Sequence, residues 1–341
     1  MKNNIPQTIK SPRDGEEMKL VWHDEFDGDK LDGDKWILFD RMYGDKNVIR
    51  SYERERNVKV ENGMLVMRSW KEDDGIFSTH KTVTSTGQMS FLYGYAEIRA
   101  RFPFVRGSFP SFWLQSAPQH RTTCYMTEVD VIEPYFYGYL ESGLHRWFLN
   151  ESPIGFGSAY ADEWYHPERY TIPGFEEYWT FWNYDKLPEL TEAQKAAIEK
   201  FNSEFHTYGF GWSKDEMYIT MDGAIVGKFD LTTLTPGGRN NRIADPEDPR
   251  VKVVESVTEG ADGFRYDAMF INFTNWVGSN FRYKGYGDPV DESFPHTFEV
   301  DYIRLYQKPG EGKLFDDHGN GLTQEQATNY RNTESERMKK K

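Results

Sequence analysis

Cys124 is the only cysteine among 341 residues, so no internal disulfide can form and a cysteine-rich metal site is excluded. Long apolar runs are also missing. Nothing approaches the roughly 20 residues of a membrane-spanning helix, and the opening stretch MKNNIPQTIKSPRDGEEMKL lacks the apolar heart of a secretory signal. Basic residues are scarce beside acidic ones, 41 against 55, for a net charge of −14. A surface of that sign repels nucleic-acid phosphates and anionic bilayers, so neither nucleic acid nor membrane is expected as a partner. It disfavours heavily sulfated ligands too, although Arg50, Arg54 and Arg56 form a local basic cluster. What abounds is aromatic: Phe, Trp and Tyr make up 16% of the chain. Flat aromatic faces stack sugar rings or nucleobases, and the charge removes the bases.

Between about residues 20 and 307 the chain is a series of short β-rich runs punctuated by turn residues: NVKVENGMLVMRSW, GYAEIRARFPF, EMYITMDGAIVGKFDL, AMFINFTNW and TFEVDYIRLYQ. Their interiors carry Val, Ile, Tyr, Phe and Thr, the residues that fit a pleated surface. Asn62-Gly63 and Asp222-Gly223 are two-residue hairpin signals. Many short strands with little helix between them predict an all-β sandwich in one domain over 20–307. Residues 1–19 are expected to be an extended lead-in and 308–341 a flexible C-terminal tail. Two insertions interrupt the domain, at about 148–201 and 232–267. Leu190 to Phe201 reads as one helix, with Thr191 as N-cap and Gln194 completing a capping box.

The chemistry concentrates in Cys124 to Pro134, CYMTEVDVIEP, where Glu128, Asp130 and Glu133 stand within six residues of an otherwise apolar strand. Strand residues two apart share a face, so Glu128 and Asp130 point one way and Glu133, five along, points the other. A β-bulge at Val131-Ile132 inserts one residue and returns Glu133 to its companions. The two glutamates then lie roughly 13 Å apart at Cα, from about 3.3 Å per step. Leaning together over the shorter aspartate, they can approach the 5–5.5 Å separation of retaining glycoside hydrolysis. Carboxylates this close raise the pKa of at least one of their number. The plain alternative is a solvated acidic face. It fits poorly with Val129, Val131 and Ile132, which bury the strand's other face and make it a central strand. A metal site is the other rival, but no second ligand cluster has matching spacing.

These residues resemble glycoside hydrolase family 16, whose bulged members carry a Glu-x-Asp-x-x-Glu strand. The likeness runs in order along the chain: LVWHDEFDGDKLDGDKW from Leu20, NVKVENGMLVMRS, TSTGQMSFLYGYAEIRARFPFVRGSFPSFWLQS from Thr84, GLHRW, FHTYGFGW, MYITMDGAIVGKF and FEVDYIRLYQ. The resemblance implies a concanavalin-like jelly roll, two curved antiparallel sheets with a substrate cleft on the concave face. It implies Glu128 as nucleophile, Glu133 as acid then base, and Asp130 as the group that holds Glu128. It places His145 in the cleft, with Trp147 two residues on as a sugar platform. Trp113 either lines the cleft or fills the core, and Trp276 is a further subsite candidate. Trp164 and Trp182, with Tyr165, Tyr178, Trp179, Phe181 and Tyr184, make the first insertion either a wall over the cleft or a cluster that staples the loop. Glu25, the Gly63 carbonyl and Asp301 resemble a structural calcium site, and catalysis itself needs no cofactor.

The implied activity is an endo-acting, retaining β-glycosidase on internal β-1,3 or β-1,4 linkages. Phe109 where the family often has Trp, Thr127 where many laminarinases have Gly, and the arginine cluster tilt the substrate toward a β-galactan of the carrageenan, agar or mucin kind. An endo-β-1,3(4)-glucanase is the alternative. A non-catalytic lectin on the same sandwich is the rival of another class, and it has no reason to keep both glutamates. Secretion or a periplasmic location is expected from the family, and a monomer is expected.

Overall fold

The computed structural model describes residues 5–39, 49–50, 54–75, 77–78, 80–85, 88–105, 107–117, 125–135, 139–148, 170–171, 191–230, 268–277, 293–316 and 319–329. They form a jelly-roll sandwich of two curved sheets, with strands numbered in chain order. The first sheet contains β1 (Thr8–Lys10), β2 (Glu17–Asp24), β4 (Ile49–Arg50), β5 (Val58–Glu61), β6 (Met64–Lys71), β7 (Phe77–Ser78), β10 (Gly94–Arg101), β15 (His206–Trp212), β16 (Glu216–Met221), β17 (Ala224–Asp230) and β19 (His296–Gln307). The second contains β3 (Ile37–Phe39), β8 (His80–Thr84), β9 (Ser90–Leu92), β11 (Ser108–Ser116), β12 (Tyr125–Tyr135), β13 (Tyr139–Phe148), β14 (Tyr170–Thr171), β18 (Met269–Val277), β20 (Lys313–Phe315) and β21 (Gly321–Leu322). Pairing is antiparallel apart from the two-residue β4–β7 contact.

Period-two patterning decides which face each strand buries. On β10, Ala96, Ile98 and Ala100 are buried in the core, while Glu97, Arg99 and Arg101 alternate with them on the other face. The second sheet meets them with Phe112 and Leu114 from β11, Val129, Val131 and Ile132 from β12, and Met269, Ile271 and Phe273 from β18. Phe298 joins the layers, stacked on Phe102 at 4.4 Å between ring centroids and edge-on to Phe273 at 6.2 Å. Both hairpin signals hold. Asn62 and Gly63 have φ of 53° and 72°, and Asp222 and Gly223 have 48° and 79°, the doubly left-handed turn that matches strand twist.

After the single turn α1 (Arg54–Asn57), the predicted helix is α2 (Glu192–Ser203), with Thr191 at its N-cap and both hydrogen bonds of the capping box in place. The sandwich begins earlier and ends later than 20 and 307. Residues 8–10 pair with β2, and Ile5 and Ile9 pack on a second small core of Met18, Leu20, Tyr95, Tyr218 and Tyr306. At the other end Leu314, 3% exposed, pairs with Phe91, and α3 (Gln324–Asn329) donates from the Gln324 side chain to the Leu20 carbonyl. In a polar stretch, a few well-spaced apolar residues suffice when a sheet edge is waiting for them. Most of both insertions, 149–169, 172–190 and 231–267, and residues 330–341 lie outside the described residues. Among the described residues no helix is long and apolar enough to cross a membrane.

Candidate active site

β12 is an interior strand of the second sheet, between β13 and β11. Against β13, Glu128 pairs with His145 and Asp130 with Gly143, and then the register shifts so that Glu133 pairs with Glu141. Against β11 the same shift appears: Trp113 lies opposite Asp130, but its neighbour Phe112 lies opposite Ile132. One extra residue is therefore inserted at Val131–Ile132, where the sequence required it. Burial gives the same answer independently. Val129, Val131 and Ile132 belong to the core, at 0%, 0% and 4% exposure, so the acids before and after the bulge share the face turned away from it.

Glu128 and Glu133 are half-buried on this face, while Asp130 is only 4% exposed. Burial pushes the Asp130 carboxyl from the usual range up to about 7. The direction is that expected of crowded acids, but desolvation is its cause. Gly143, directly across from Asp130, contributes no side chain there. Two serines fix the strand's backbone around the acids. Thr127 N–H donates to Ser116 Oγ at 2.9 Å, one residue before Glu128. The Ser142 hydroxyl donates to the Val131 carbonyl at 2.7 Å, inside the bulge. Sequence alone gave no hint of either serine, because each is defined by a register that only the folded sheet supplies.

Trp113 lies on the acid-bearing face. Its flanking residues Phe112 and Leu114 enter the core, and its indole N–H donates to Thr274 Oγ1 at 2.9 Å. Trp276 alternates with Asn272 and Thr274 on the same face of β18. It is 7% exposed and packs at 6.3 Å from Phe109, so this pair is an aromatic floor more than an open platform. For His145 and Trp147 the backbone register is described, opposite Glu128 and Met126. Trp164 and Trp182 lie outside the described residues, as do Tyr165, Tyr178, Trp179, Phe181 and Tyr184.

The expected calcium ligands do not fit a calcium site. Both oxygens of Glu25, 4% exposed, accept from the Arg304 guanidinium at 2.8 Å, and Asp301 accepts from Arg99 at 2.7 Å. Burial raises the Glu25 carboxyl, but Arg304 and His23 outweigh it and hold it down at about 2. A hard cation would have to displace two guanidinium groups to reach these oxygens. Gly63 sits in its hairpin turn between β5 and β6. Among the described residues no group of three or more His, Cys, Asp or Glu is placed to hold a metal.

No protein-family model matches the chain. The β-glucanase of Rhodothermus marinus is 25% identical over 300 residues, covering 85% of each protein. That likeness stands beside a strand of this chain whose bulge brings three acids together. Together they support membership of glycoside hydrolase family 16. Solved structures share the family fold. A non-specific endo-β-1,3(4)-glucanase of family 16 superposes with a TM-score of 0.54 at 21% identity, over 89% of this chain and 96% of its own. A structure from the endo-acting O-glycanases that prominent members of the human gut microbiota express to initiate mucin breakdown gives 0.58 at 19% identity, over 92% and 99%. The chain is an enzyme that cleaves glycosidic bonds.

Proposed function

We propose that the enzyme is a retaining endo-β-1,3(4)-glucanase-like hydrolase acting by double displacement at Glu128 and Glu133. The carrying observation is the bulge at Val131–Ile132, which returns Glu133 to the face of Glu128 and Asp130. In the first step Glu128 attacks the anomeric carbon while Glu133 gives its proton to the departing glycosidic oxygen. In the second, Glu133 takes a proton from water, which breaks the glycosyl ester and restores Glu128. Asp130, poised near 7, holds or releases a proton beside them within the physiological range.

The glucan reading gains support because two grounds for a galactan have structural explanations. Thr127 is buried at the end of the β11–β12 ladder and tied to Ser116. Arg56 forms a two-oxygen ion pair with Glu72 and lies over Trp70 at 4.6 Å, so its charge is already matched. The galactan reading, of the mucin kind, keeps one ground in the likeness to the mucin O-glycanase structure and another in Phe109. A reducing-sugar screen on laminarin, lichenan, agarose, κ-carrageenan and mucin separates them. Wild type is expected to release ends from laminarin or lichenan, and both Glu128→Ala and Glu133→Ala to lose at least about 100-fold. Cleavage confined to agarose, κ-carrageenan or mucin selects the galactan reading, and cleavage of none selects the lectin.

A further inference from the structure

Two residues of β12, Val131 and Ile132, lie opposite a single residue of β13, Ser142, because Asp130 pairs with Gly143 and Glu133 with Glu141. A bulge withdraws backbone groups from the ladder and leaves them needing other partners. Here the one residue facing the bulge brings the partner itself, with the Ser142 hydroxyl donating to the Val131 carbonyl at 2.7 Å. Val131 is 0% exposed, so bulk water cannot take that role.

We propose that Ser142 is a positioning residue for the acid/base, its hydroxyl holding open the bulge that turns Glu133 onto the face of Glu128. The inference rests on the reading of Glu133 as acid/base. Side-chain direction on a strand has a period of two, so a bulge that relaxes toward a regular ladder swings Glu133 away from its companions in one step. Ser142 thus acts on the reaction through backbone register, without touching substrate. Its loss is felt only in steps that need the Glu133 proton.

That confinement gives a test. A sugar leaving group departs slowly unless its oxygen is protonated as the anomeric C–O bond breaks, whereas an acidic phenol leaves as its anion without help. Ser142→Ala, Ser142→Thr, Glu133→Ala and wild type are compared on the polysaccharide the wild type cleaves and on a dinitrophenyl β-glycoside of the same sugar. First-step rates are read from the burst of dinitrophenol. Ser142→Ala is expected to lose roughly 10- to 100-fold in kcat on the polysaccharide. Its burst on the aryl glycoside should fall by under about threefold, and its melting curve should stay cooperative. Ser142→Thr, which keeps the hydroxyl, should recover most of the polysaccharide rate. Equal losses on both substrates, or none on either, overturn the proposal. A split in Glu133→Ala without one in Ser142→Ala removes this inference alone. No split in Glu133→Ala removes the acid/base reading and this inference with it.

Discussion

Asp130 shows how one buried group ties the site to the stability of the fold. An unfolded aspartate titrates near 4, while Asp130 in the folded chain titrates at about 7. Between those values the folded chain keeps a proton that the unfolded chain has lost. The stabilisation from this group is therefore full below about pH 4 and fades as pH rises through 7. Asp130→Asn has no such proton to lose. Its melting temperature, compared with wild type from pH 4 to pH 8, should shift progressively in the variant's favour as pH rises. A difference that stays flat across the range contradicts the burial of an ionisable Asp130. At this scale the sequence was informative about identity and spacing but silent on partners. Glu128, Asp130 and Glu133 were legible because three acids on an apolar strand demand a reason. Ser116 and Ser142 were not, since a serine acquires meaning only from the strand beside it. The same limit misplaced Glu25 and Asp301, whose partners Arg304 and Arg99 come from other strands.

Among the elements, the bulged strand, both hairpins and α2 were readable from local rules: period two, the Asn-Gly and Asp-Gly turns, and the Thr191–Gln194 capping box. The edge strand β1 and the short β20 were not, because their apolar residues are too few to make a pattern and depend on neighbours already in place. A comparable device appears where β10, β15 and β16 pack side by side. Gly209 and Gly211 on β15 leave room for aromatic side chains from the flanking strands. A methyl group on Gly211 would lie 1.9 Å from the Tyr218 ring, and one on Gly209 would lie 2.2 Å from the Tyr95 hydroxyl. Gly211→Ala must therefore displace Tyr218 from its stacked position on Tyr95. Urea unfolding should show a loss of about 1–3 kcal/mol, and an unchanged midpoint contradicts the tight fit of that ring over the glycine.

Across the whole molecule, the first sheet carries a polar network that answers to pH in the opposite sense from Asp130. Glu25, held at about 2 by Arg304 and His23 against its own burial, contributes stability that is present above pH 4.5 and is lost as pH falls through 2. Breaking that pair leaves a buried charge without its partner. Arg304→Met should cost about 3 kcal/mol at pH 7 by urea unfolding, and less at pH 4, where the abandoned Glu25 can take up a proton. A cost that does not shrink on acidification contradicts the pairing. The sandwich supported by this network holds the bulged strand with Val129, Val131 and Ile132 sealed in the core and its three acids on the opposite face. The stereochemistry of the first product tests that arrangement most directly. Wild type is mixed with the polysaccharide it cleaves, and the newly formed reducing ends are followed by proton NMR before mutarotation. The β-anomer should appear first, with the α-anomer growing in later, as two displacements at one carbon require. An α-anomer at the earliest time points contradicts Glu128 as a nucleophile and the double displacement on which the account rests.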